Sequence, residues 1–328
     1  MTPMSTKQGL VAVIGGCNLD IGGVSAGPLV PGDSNPGAVR SAPGGVGRNM
    51  ANLLALLGVP VELVTAIGSD GAGRQLTESC ARQGIGLSWA LLEQDCPTSI
   101  YLYLAEPGGE MVAAISDMEI QRLLTPAYLE KIGPQLAKAE IWLCDTNPPA
   151  ETLARLAGLA AGAGRPLFVD GVSTVKAAKL LPILGQLHTL KVNKLEAEEL
   201  LGRSFPNEEG EEACLWFLER GLRQVVISLG ERGACYASRG GGPAEKPLHG
   251  RLPCFPGFHM ANTTGCGDAF TAGLVWAYRE GRDLETATRA GLALGAVTGV
   301  SPGAVNPAVR ESLIRKMLGQ QRPELRVE

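Results

Sequence analysis

The alternation of short apolar runs with helix-like segments constrains the fold of this sequence most. From residue 125 onward, runs such as IWLCDT (141–146), PLFVDG (166–171) and QVVISLG (224–230) alternate with helical patterns. The run LVAVIGG (10–16) is apolar throughout, as expected for a strand buried on both faces. The run VELVTAIG (61–68) predicts a further strand, and helices are predicted after SDGAG (69–73) to about residue 83 and over 174–184. Strands that alternate with helices form βαβ units. The sequence therefore predicts an α/β fold with a mostly parallel central sheet covered on both sides.

Two segments interrupt this alternation. Residues 17–43 are rich in Gly, Pro, Ser and Asp, and residues 98–118 alternate around a Pro-Gly-Gly turn that is typical of a β-hairpin. We expect both segments to form one small β lid. The length of 328 residues then fits a single domain over 10–318, with loose tails at 1–9 and 319–328.

Charge and composition exclude several classes of partner. The 29 Lys and Arg residues are outnumbered by 33 Asp and Glu residues, which argues against a nucleic-acid or membrane-surface binder. The chain has no apolar run long enough to span a membrane, and its start lacks a signal-peptide pattern. Its eight cysteines show no zinc spacing, and its three histidines are scattered, which argues against a histidine-based triad. We expect a cytoplasmic protein with reduced thiols.

The segment NTTGCGDAFTAG (262–273) is the strongest candidate for a chemical site. It places Gly265, Cys266 and Gly267 just before an apolar helix, with Asp268 in the first turn of that helix. A helix N-terminus offers unpaired N–H groups and the positive end of the helix dipole, which suit the charge of a phosphoryl group. Asp268 could equally be an ordinary acid at a helix start, and the spacing alone leaves both alternatives open.

Four motifs together resemble the PfkB (ribokinase-like) carbohydrate kinases. They are NTTGCGDAF, SAPGGVGRNMANLLALLG (41–58) followed by AIGSDGAG (66–73), the Asn193–Glu196 pair, and the strand exit from Ser228 to Gly233. The resemblance covers essentially the whole chain. It implies a ribokinase-like fold with three layers, α/β/α, and ATP-dependent phosphorylation of an alcohol.

Further motifs narrow the resemblance within the family. GDSNPG (32–37), GGVGRN (44–49), AISDMEI (114–120) and VDGVSTVKA (169–177) are similar to motifs of the pseudouridine kinase subfamily, although Gly171 stands where that subfamily has Pro. This implies phosphorylation of the 5′-hydroxyl of pseudouridine. The alternatives are another sugar or nucleoside kinase of the ribokinase, fructokinase or adenosine kinase type, and a non-catalytic nucleoside sensor.

The resemblance also implies roles for the residues that carry the chemistry. Asp268 would be the general base, and the backbone N–H groups of Gly265, Cys266 and Gly267 would form an anion hole. Asn193 and Glu196 would help to hold Mg²⁺, largely through water. For Glu196 the alternative is one of several acids on a solvated helix face.

The remaining residues divide between the acceptor and ATP. Sugar hydroxyls would be bound by Asp20, Gly44, Gly45 and Asn49. The base would be sensed by Ser34, Asn35, Asp117 and Met118, which could instead be lid edges or dimer contacts. ATP would be bound by Ser228, Gly230, Gly233, Lys176 and Thr264, where the alternatives are a plain strand exit and a surface lysine.

Two further expectations concern a monovalent cation and the oligomeric state. Asn262 occupies the place of an Asp that contributes to a monovalent-cation site in relatives, so dependence on K⁺ is left open. In relatives the lid often forms a dimer interface, and we expect a homodimer through the lid here.

Overall fold

The computed structural model describes residues 9–240 and 246–319, so most of both predicted tails lies outside the described residues. The strands, in chain order, are β1 (Val11–Ile14), β2 (Asn18–Ser25), β3 (Gly37–Gly44), β4 (Val61–Val64), β5 (Ala66–Gly68), β6 (Leu91–Glu93), β7 (Ile100–Ala105), β8 (Met111–Asp117), β9 (Ile141–Asp145), β10 (Leu167–Asp170), β11 (Thr189–Asn193), β12 (Gln224–Ser228), β13 (Ala234–Ser238) and β14 (Leu248–Leu252).

The helices connect and cover these strands. In chain order they are α1 (Val46–Leu56), α2 (Gly71–Arg82), α3 (Pro126–Lys131), α4 (Gly133–Leu136), α5 (Ala150–Gly162), α6 (Thr174–Ala177), α7 (Lys194–Leu201), α8 (Gly210–Glu219), α9 (Cys266–Arg279), α10 (Leu284–Gly299) and α11 (Glu311–Gly319). Short 3₁₀ helices cover Glu119–Leu123, Ala178–Gln186, Asn207–Glu209 and Gly230–Arg232.

The central sheet has the strand order β14-β13-β12-β11-β10-β9-β1-β4. The strands from β12 to β4 in this order are parallel, whereas β13 pairs antiparallel with both β12 and β14. Side chains of β1 alternate between two cores: Val11 and Val13 pack with α1, α9 and α10, while Ala12 and Ile14 pack with α5 and α8. The prediction of a three-layer α/β/α fold with a mostly parallel sheet is confirmed.

The parallel strands also place polar residues at one edge of the sheet. Asp145, Asp170, Asn193 and Ser228 end four neighbouring strands, from β9 to β12. Carboxyl ends of parallel strands lie on the same side of a sheet, which is where open α/β folds bind ligands.

A second, four-stranded sheet has the order β3-β2-β7-β8 and is called the β lid below. Its strands come from the two segments that interrupt the βαβ alternation. The strands β2 and β7 are parallel, and each pairs with an antiparallel outer strand. Asp20 on β2 lies in register with Tyr101 on β7, so one lid face carries Asp20 and the opposite face carries the intervening residues.

Two elements differ from the sequence predictions. The run VELVTAIG (61–68) divides into β4 and β5, because the chain leaves the central sheet at Thr65 and pairs β5 with β6 instead. The helix predicted over 174–184 is one turn of α-helix followed by a 3₁₀ helix that contains Pro182. Proline has no N–H to donate and its ring clashes with the preceding turn, so a regular α-helix cannot continue there.

Within residues 9–240 and 246–319, none of the helices combines the length and apolar character that crossing a membrane would require.

Candidate active site

Asp268 lies in the first turn of α9, which starts from a turn that only glycine can form. Gly265 caps the helix in the left-handed conformation, with φ of 81°. A Cβ atom at Gly265 would lie 2.0 Å from the carbonyl oxygen of Ala304. Both the backbone angle and the neighbouring carbonyl therefore require glycine at this position. The glycine in the sequence motif fixes where Asp268 enters the site.

The carboxylate of Asp268 is buried and points to α1. Its side chain is 9% exposed, and its Oδ2 accepts a hydrogen bond of 2.8 Å from Nδ2 of Asn49. Burial raises the pKa of Asp268 to about 7; the charge of Asp170 adds to this rise, while Asn49 and Lys191 oppose it. A base with a pKa near the working pH combines availability with proton-accepting strength. Asp268 thus has the burial and pKa of a general base.

A buried ion pair lies beside Asp268. Nζ of Lys191 is 3.2 Å from Oδ2 of Asp170, and both side chains are almost fully buried. Thr271 donates to the same carboxylate oxygen at 2.5 Å. Although burial opposes the charged form of Lys191, the charges of Asp170, Glu196 and Asp268 raise its pKa, so this lysine is a fixed cation.

The cation lies against the start of α9. A Cβ atom at Gly267 would lie 3.0 Å from Nζ of Lys191. A fixed positive charge at a helix N-terminus adds to the helix dipole in attracting an anion.

One of the three N–H groups predicted to form the anion hole, that of Cys266, already has a hydrogen-bond partner. The N–H of Cys266 donates to the carbonyl of Thr263 at 3.2 Å, because the turn closes on itself. The N–H groups of Gly267 and Asp268 follow as the next two of α9, and such N–H groups have no partner within their own helix. Burial, with the charge of Asp268, raises the pKa of the Cys266 thiol, so the thiol is neutral and unreactive.

The acceptor-side residues gather where β2, β3 and α1 meet. Asp20 accepts a hydrogen bond of 2.6 Å from Nδ2 of Asn18, and a Cβ atom at Gly44 would lie 2.3 Å from its Oδ2. Gly45 has φ of 97°, and a Cβ atom there would lie 2.5 Å from the carbonyl of Gly16. Glycine at both positions leaves room for Asp20 and for the turn, and it allows a ligand to approach the backbone closely.

Asp145 connects the backbone segments next to these residues by hydrogen bonds. Its Oδ2 accepts hydrogen bonds of 2.8 Å from the N–H groups of both Gly16 and Gly47. Its Oδ1 accepts from the N–H of Asn147, also at 2.8 Å. One buried carboxylate thus joins the end of β9 to the turn after β1 and to α1.

The lid residues predicted for base recognition do not all reach a pocket. Asn35 holds its own turn, because its Oδ1 accepts from the N–H of Val30 at 2.8 Å and its Nδ2 donates to the carbonyls of Val30 and Asp33. The N–H of Ser34 donates to Asp33, and Asp117 accepts from the N–H of Glu119. Met118 differs from these three because it lines a cavity.

That cavity has a volume of about 460 Å³ and lies between the end of β8 and the start of α5. Met118, Gln121 and Asn147 are among its lining residues, whereas Asp268 lies outside it. Asn147 lies between the cavity and the turn after β1, since a Cβ atom at Gly16 would lie 2.7 Å from Nδ2 of Asn147. Lys176 donates to Oδ1 of Asn147 at 2.6 Å, so this lysine is tied to the cavity side rather than to a free helix surface.

Asn193 and Glu196 form a capping box at the start of α7. The N–H of Glu196 donates to Oδ1 of Asn193 at 2.9 Å, and the N–H of Asn193 donates to Oε2 of Glu196 at 2.8 Å. Glu196 is buried, which excludes the alternative of a solvated helix face. Burial raises the pKa of Glu196, while the positive charge of Lys191 opposes that rise.

The side chains of Asn193 and Glu196 are too few to hold Mg²⁺ by direct contacts alone. Within the described part of the chain, no group of three or more His, Cys, Asp or Glu side chains is placed to hold a metal ion directly. One carboxylate and one carboxamide match an ion that keeps most of its water and completes its shell on phosphates. Both carboxylate oxygens of Glu196 accept hydrogen bonds from Asn193, so these two residues match Mg²⁺ only through bridging water.

The remaining ATP-side residues flank this capping box. Ser228 is the register partner of Asn193 on the adjacent strand. Gly230 and Gly233 have φ of 61° and 87°, and they turn the chain back into β13. Thr264 donates its N–H to Oδ1 of Asn262 at 2.9 Å, and Nδ2 of Asn262 donates to the carbonyl of Pro302. The side chain of Asn262 is thus engaged in shaping the turn before α9.

Four residues of the site were not predicted from the sequence. Lys191, Asp170 and Asp145 lie in or at the end of apolar strands, and Arg48 lies on the buried face of α1. Their common signal is a charged residue inside a run that otherwise predicts complete burial. Asp145 and Asp170 carry a second signal, since each ends a strand of the parallel sheet.

Comparison with known proteins relates this geometry to enzymes. The chain is 37% identical to pseudouridine kinase of Escherichia coli over 285 residues, which cover 86% of this chain and 88% of that protein. It is 33% identical to the uncharacterized sugar kinase YeiI of Escherichia coli, over 93% of this chain and 82% of the relative.

Solved structures show the same fold. A carbohydrate kinase from Agrobacterium tumefaciens superposes with a TM-score of 0.82 at 29% identity, over 95% of this chain and 97% of that chain. Ribokinase of Arabidopsis thaliana, complexed with ribose and ATP, gives a TM-score of 0.80 at 23% identity, over 96% and 99% of the two chains.

The model of one protein family matches residues 8–310, and it is described as the pfkB family of carbohydrate kinases. This match agrees with the glycine turn, the buried Asp268 and the fold. The chain belongs to the pfkB carbohydrate kinase family.

Proposed function

We propose that this enzyme transfers the γ-phosphate of ATP to the 5′-hydroxyl of pseudouridine and forms pseudouridine 5′-phosphate and ADP. The membership of the pfkB family supports a kinase that phosphorylates an alcohol. The similarity to a pseudouridine kinase supports the choice of acceptor. The observation that carries the proposal is the buried Asp268 at the start of α9, held by Asn49 of α1, the helix that follows the Gly44–Gly45 turn beside Asp20.

Asp268 acts as the general base in this proposal. The 5′-hydroxyl binds beside its carboxylate, and the proton moves to Asp268 as the hydroxyl oxygen forms a bond to the γ-phosphorus. The bond from that phosphorus to the β–γ bridging oxygen breaks, and ADP leaves with its electron pair. Because the pKa of Asp268 is about 7, a large fraction of the enzyme holds the base in its deprotonated form at neutral pH.

The start of α9 stabilises the transferring phosphoryl group. The N–H groups of Gly267 and Asp268 and the positive end of the helix dipole place positive potential at this point, while the charge of Lys191 is balanced by Asp170. Phosphoryl transfer depends mainly on position and charge neutralisation, so these groups match the needs of the reaction.

ATP binds along the turns that follow β11 and β12, near Ser228, Gly230, Gly233 and Thr264, whereas Lys176 lies on the cavity side through its hydrogen bond to Asn147. Asn193 and Glu196 hold Mg²⁺ through water, and the ion when bound neutralises phosphate charge. Asp20, Gly44, Gly45 and Asn49 bind the ribose hydroxyls, with Asp20 as the acceptor for neighbouring hydroxyl protons.

The cavity beside Asn147 accommodates the base of the nucleoside. Gln121 is one of its lining residues; this residue is 2% exposed, and its Nε2 and Oε1 are buried with no hydrogen-bond partner among the described residues. A buried carboxamide without partners is costly, so a shift of this side chain toward the cavity to meet a bound base would be favourable. The carboxamide offers one donor and one acceptor side by side, which complements the imide edge of a uracil ring. A free sugar would leave this group unpaired.

A panel of acceptors tests this proposal. Purified enzyme is given ATP and Mg²⁺ with pseudouridine, uridine, adenosine, ribose or fructose, and kcat/KM is measured by ADP release. We expect pseudouridine to give the highest kcat/KM, with the phosphate on the 5′-oxygen by ³¹P NMR. A higher kcat/KM for ribose or fructose would contradict it, and binding without ADP release would indicate a sensor.

Two matched variants test the base cavity. Gln121→Leu removes the unpartnered carboxamide, and Gln135→Leu makes the same change at α4, outside the cavity lining. We expect Gln121→Leu to lower kcat/KM for pseudouridine by about tenfold, the loss from one or two hydrogen bonds, while ribose turnover is unchanged. Equal effects of the two variants, or equal effects on pseudouridine and ribose, would contradict a role in base recognition.

A further inference from the structure

Arg48 is a buried guanidinium next to the site; it stands in the GGVGRN (44–49) motif, but the proposed reaction gives it no role. Its side chain is 4% exposed, and it makes no ion pair with a carboxylate within residues 9–240 and 246–319. Burial lowers its pKa, although nearby Cys17, Cys80 and Asp20 oppose that effect. Burial of an unpaired charge costs free energy, so its retention requires a specific contact.

The contacts of Arg48 connect three parts of the site. Nη1 donates to the carbonyl of Pro43 at 2.9 Å and to Oδ1 of Asn49 at 3.0 Å. Nη2 donates to Oε1 of Gln83 at 3.0 Å, while Nε has no partner in the described part of the chain. Arg48 thus joins the end of β3, just before the Gly44–Gly45 turn, to the end of α2 and to the amide of Asn49.

The contact with Asn49 decides which atom of that amide faces Asp268. Because Arg48 can only donate, it requires the oxygen of Asn49 on its side. The nitrogen of Asn49 then faces Asp268 and donates at 2.8 Å. In the opposite orientation two donors would meet at Arg48 and two acceptors would meet at Asp268. Both hydrogen bonds would be lost together, so the guanidinium selects one orientation of the amide.

We propose that Arg48 is a positioning residue for phosphoryl transfer: it orients the amide of Asn49 so that Asn49 donates to the carboxylate of Asp268. This inference rests on the proposed role of Asp268 as the base. The hydrogen bond from Asn49 holds the carboxylate in place and favours its deprotonated form. The other charged groups that act on Asp268 are Asp170, Lys191 and Asp145, and they lie on β10, β11 and β9.

A double-mutant cycle tests whether Arg48 acts through Asn49. The four proteins are the wild type, Arg48→Met, Asn49→Ala and the combined variant, each measured for kcat with the acceptor that turns over best. We expect Arg48→Met alone to lower kcat by about tenfold or more, which corresponds to about 1.4 kcal/mol. In the Asn49→Ala background the same change should lower kcat by less than about twofold, because its target is already absent.

A titration gives a readout that does not depend on turnover. The carboxyl pKa of Asp268 is followed by ¹³C NMR in aspartate-labelled protein, with Asp268→Asn to assign the signal. We expect this pKa to be higher in Arg48→Met than in the wild type, since the donor from Asn49 is no longer held. The acid limb of the pH–kcat profile should move upward by the same amount.

Gln83→Met is the matched control, because it removes another partner of Arg48 and leaves the contact with Asn49. Its kcat and its Asp268 pKa should equal those of the wild type. If Arg48→Met does not fold, Arg48→Gln takes its place in the cycle, because a carboxamide can donate or accept and no longer selects one orientation of Asn49; it should show the same dependence on Asn49.

The inference would be overturned if Arg48→Met lowered kcat by the same factor with and without Asn49 and left the pKa of Asp268 unchanged. If the wild-type enzyme phosphorylates none of the acceptors, the proposed function fails, whereas the titration still decides the role of Arg48.

Discussion

At the residue scale, the proposed role of Asp268 as a base depends on how far its surroundings raise its pKa. Burial moves that pKa from 3.8 to about 7, and the folded protein therefore binds a proton more tightly than the unfolded chain does. Between these two values the stability contributed by this group is greatest at low pH and falls as the pH rises. The base is thus obtained at a cost in stability at neutral pH.

Asp268→Asn should accordingly stabilise the fold at neutral and alkaline pH. The variant removes a charge that is unfavourable when buried, and its carboxamide oxygen can still accept from Asn49. We expect the difference in Tm between the variant and the wild type to be small at pH 4 and to grow up to pH 8. Differential scanning calorimetry across this range measures the difference. An equal Tm at pH 8 would show that the charged carboxylate is not penalised.

The sequence predicted the residues of the site that lie in motifs, such as Asp268 and Asn49. It did not predict Lys191 and Asp170, because a charged residue within an apolar strand reveals its partner only in the folded sheet. The ion pair at 3.2 Å joins adjacent strands β10 and β11, which are brought together by the parallel pairing. For the same reason, the role of Arg48 depends on contacts with residues at sequence positions as distant as 83.

At the element scale, α9 is positioned by the turn at Gly265. Two effects require glycine there, namely the left-handed backbone and the carbonyl of Ala304 at 2.0 Å from a Cβ atom. Gly257 separates these effects, since it has nearly the same φ, 83° against 81°, and has no atom within 4 Å of a Cβ atom. The pair of positions therefore allows backbone strain and steric clash to be measured apart.

Gly265→Ala should lower both Tm and kcat, whereas Gly257→Ala should lower Tm by the strain alone. The strain costs about 1–2 kcal/mol at either position. At Gly265 the clash must also shift the start of α9, so we expect a loss of at least about tenfold in kcat. Chemical denaturation and steady-state kinetics of both variants measure these effects. Similar kcat values for the two variants would show that the start of α9 tolerates the shift.

Most helices and strands were predictable from the alternation of apolar runs and helical patterns. The helix that follows SDGAG (69–73) illustrates this, since it was predicted to end at about 83 and it ends at Arg82. The change from α6 to a 3₁₀ helix was predictable in principle from Pro182. The division between β4 and β5 was not, because both halves of the run are equally apolar and only pairing with β6 separates them.

At the scale of the whole molecule, the β lid has two different faces. Register places Val39, Leu104, Leu102 and Ile115 on the face opposite to Asp20. Val39 and Ile115 are 75% and 67% exposed, so this face is apolar and open to solvent. Such a patch favours association, and we propose that it pairs with the same patch of a second chain.

Ile115→Asp should weaken this pairing without changing the central sheet. Sedimentation velocity should show a dimer for the wild type and a monomer for the variant at micromolar concentration. Leu195→Asp is the control, because Leu195 is 65% exposed on α7, away from the lid. A wild-type monomer, or a dimer in both variants, would contradict association through the lid.

We propose that Asp268 accepts the proton of the 5′-hydroxyl, and single-turnover kinetics of Asp268→Asn measure the effect of removing this base. The wild type and the variant are compared with pseudouridine and MgATP, and ATP affinity is measured separately by calorimetry. We expect unchanged ATP affinity and a rate of phosphoryl transfer lower by about 10²–10⁴-fold, the range for loss of a general base. A transfer rate within about threefold of the wild type would contradict the account.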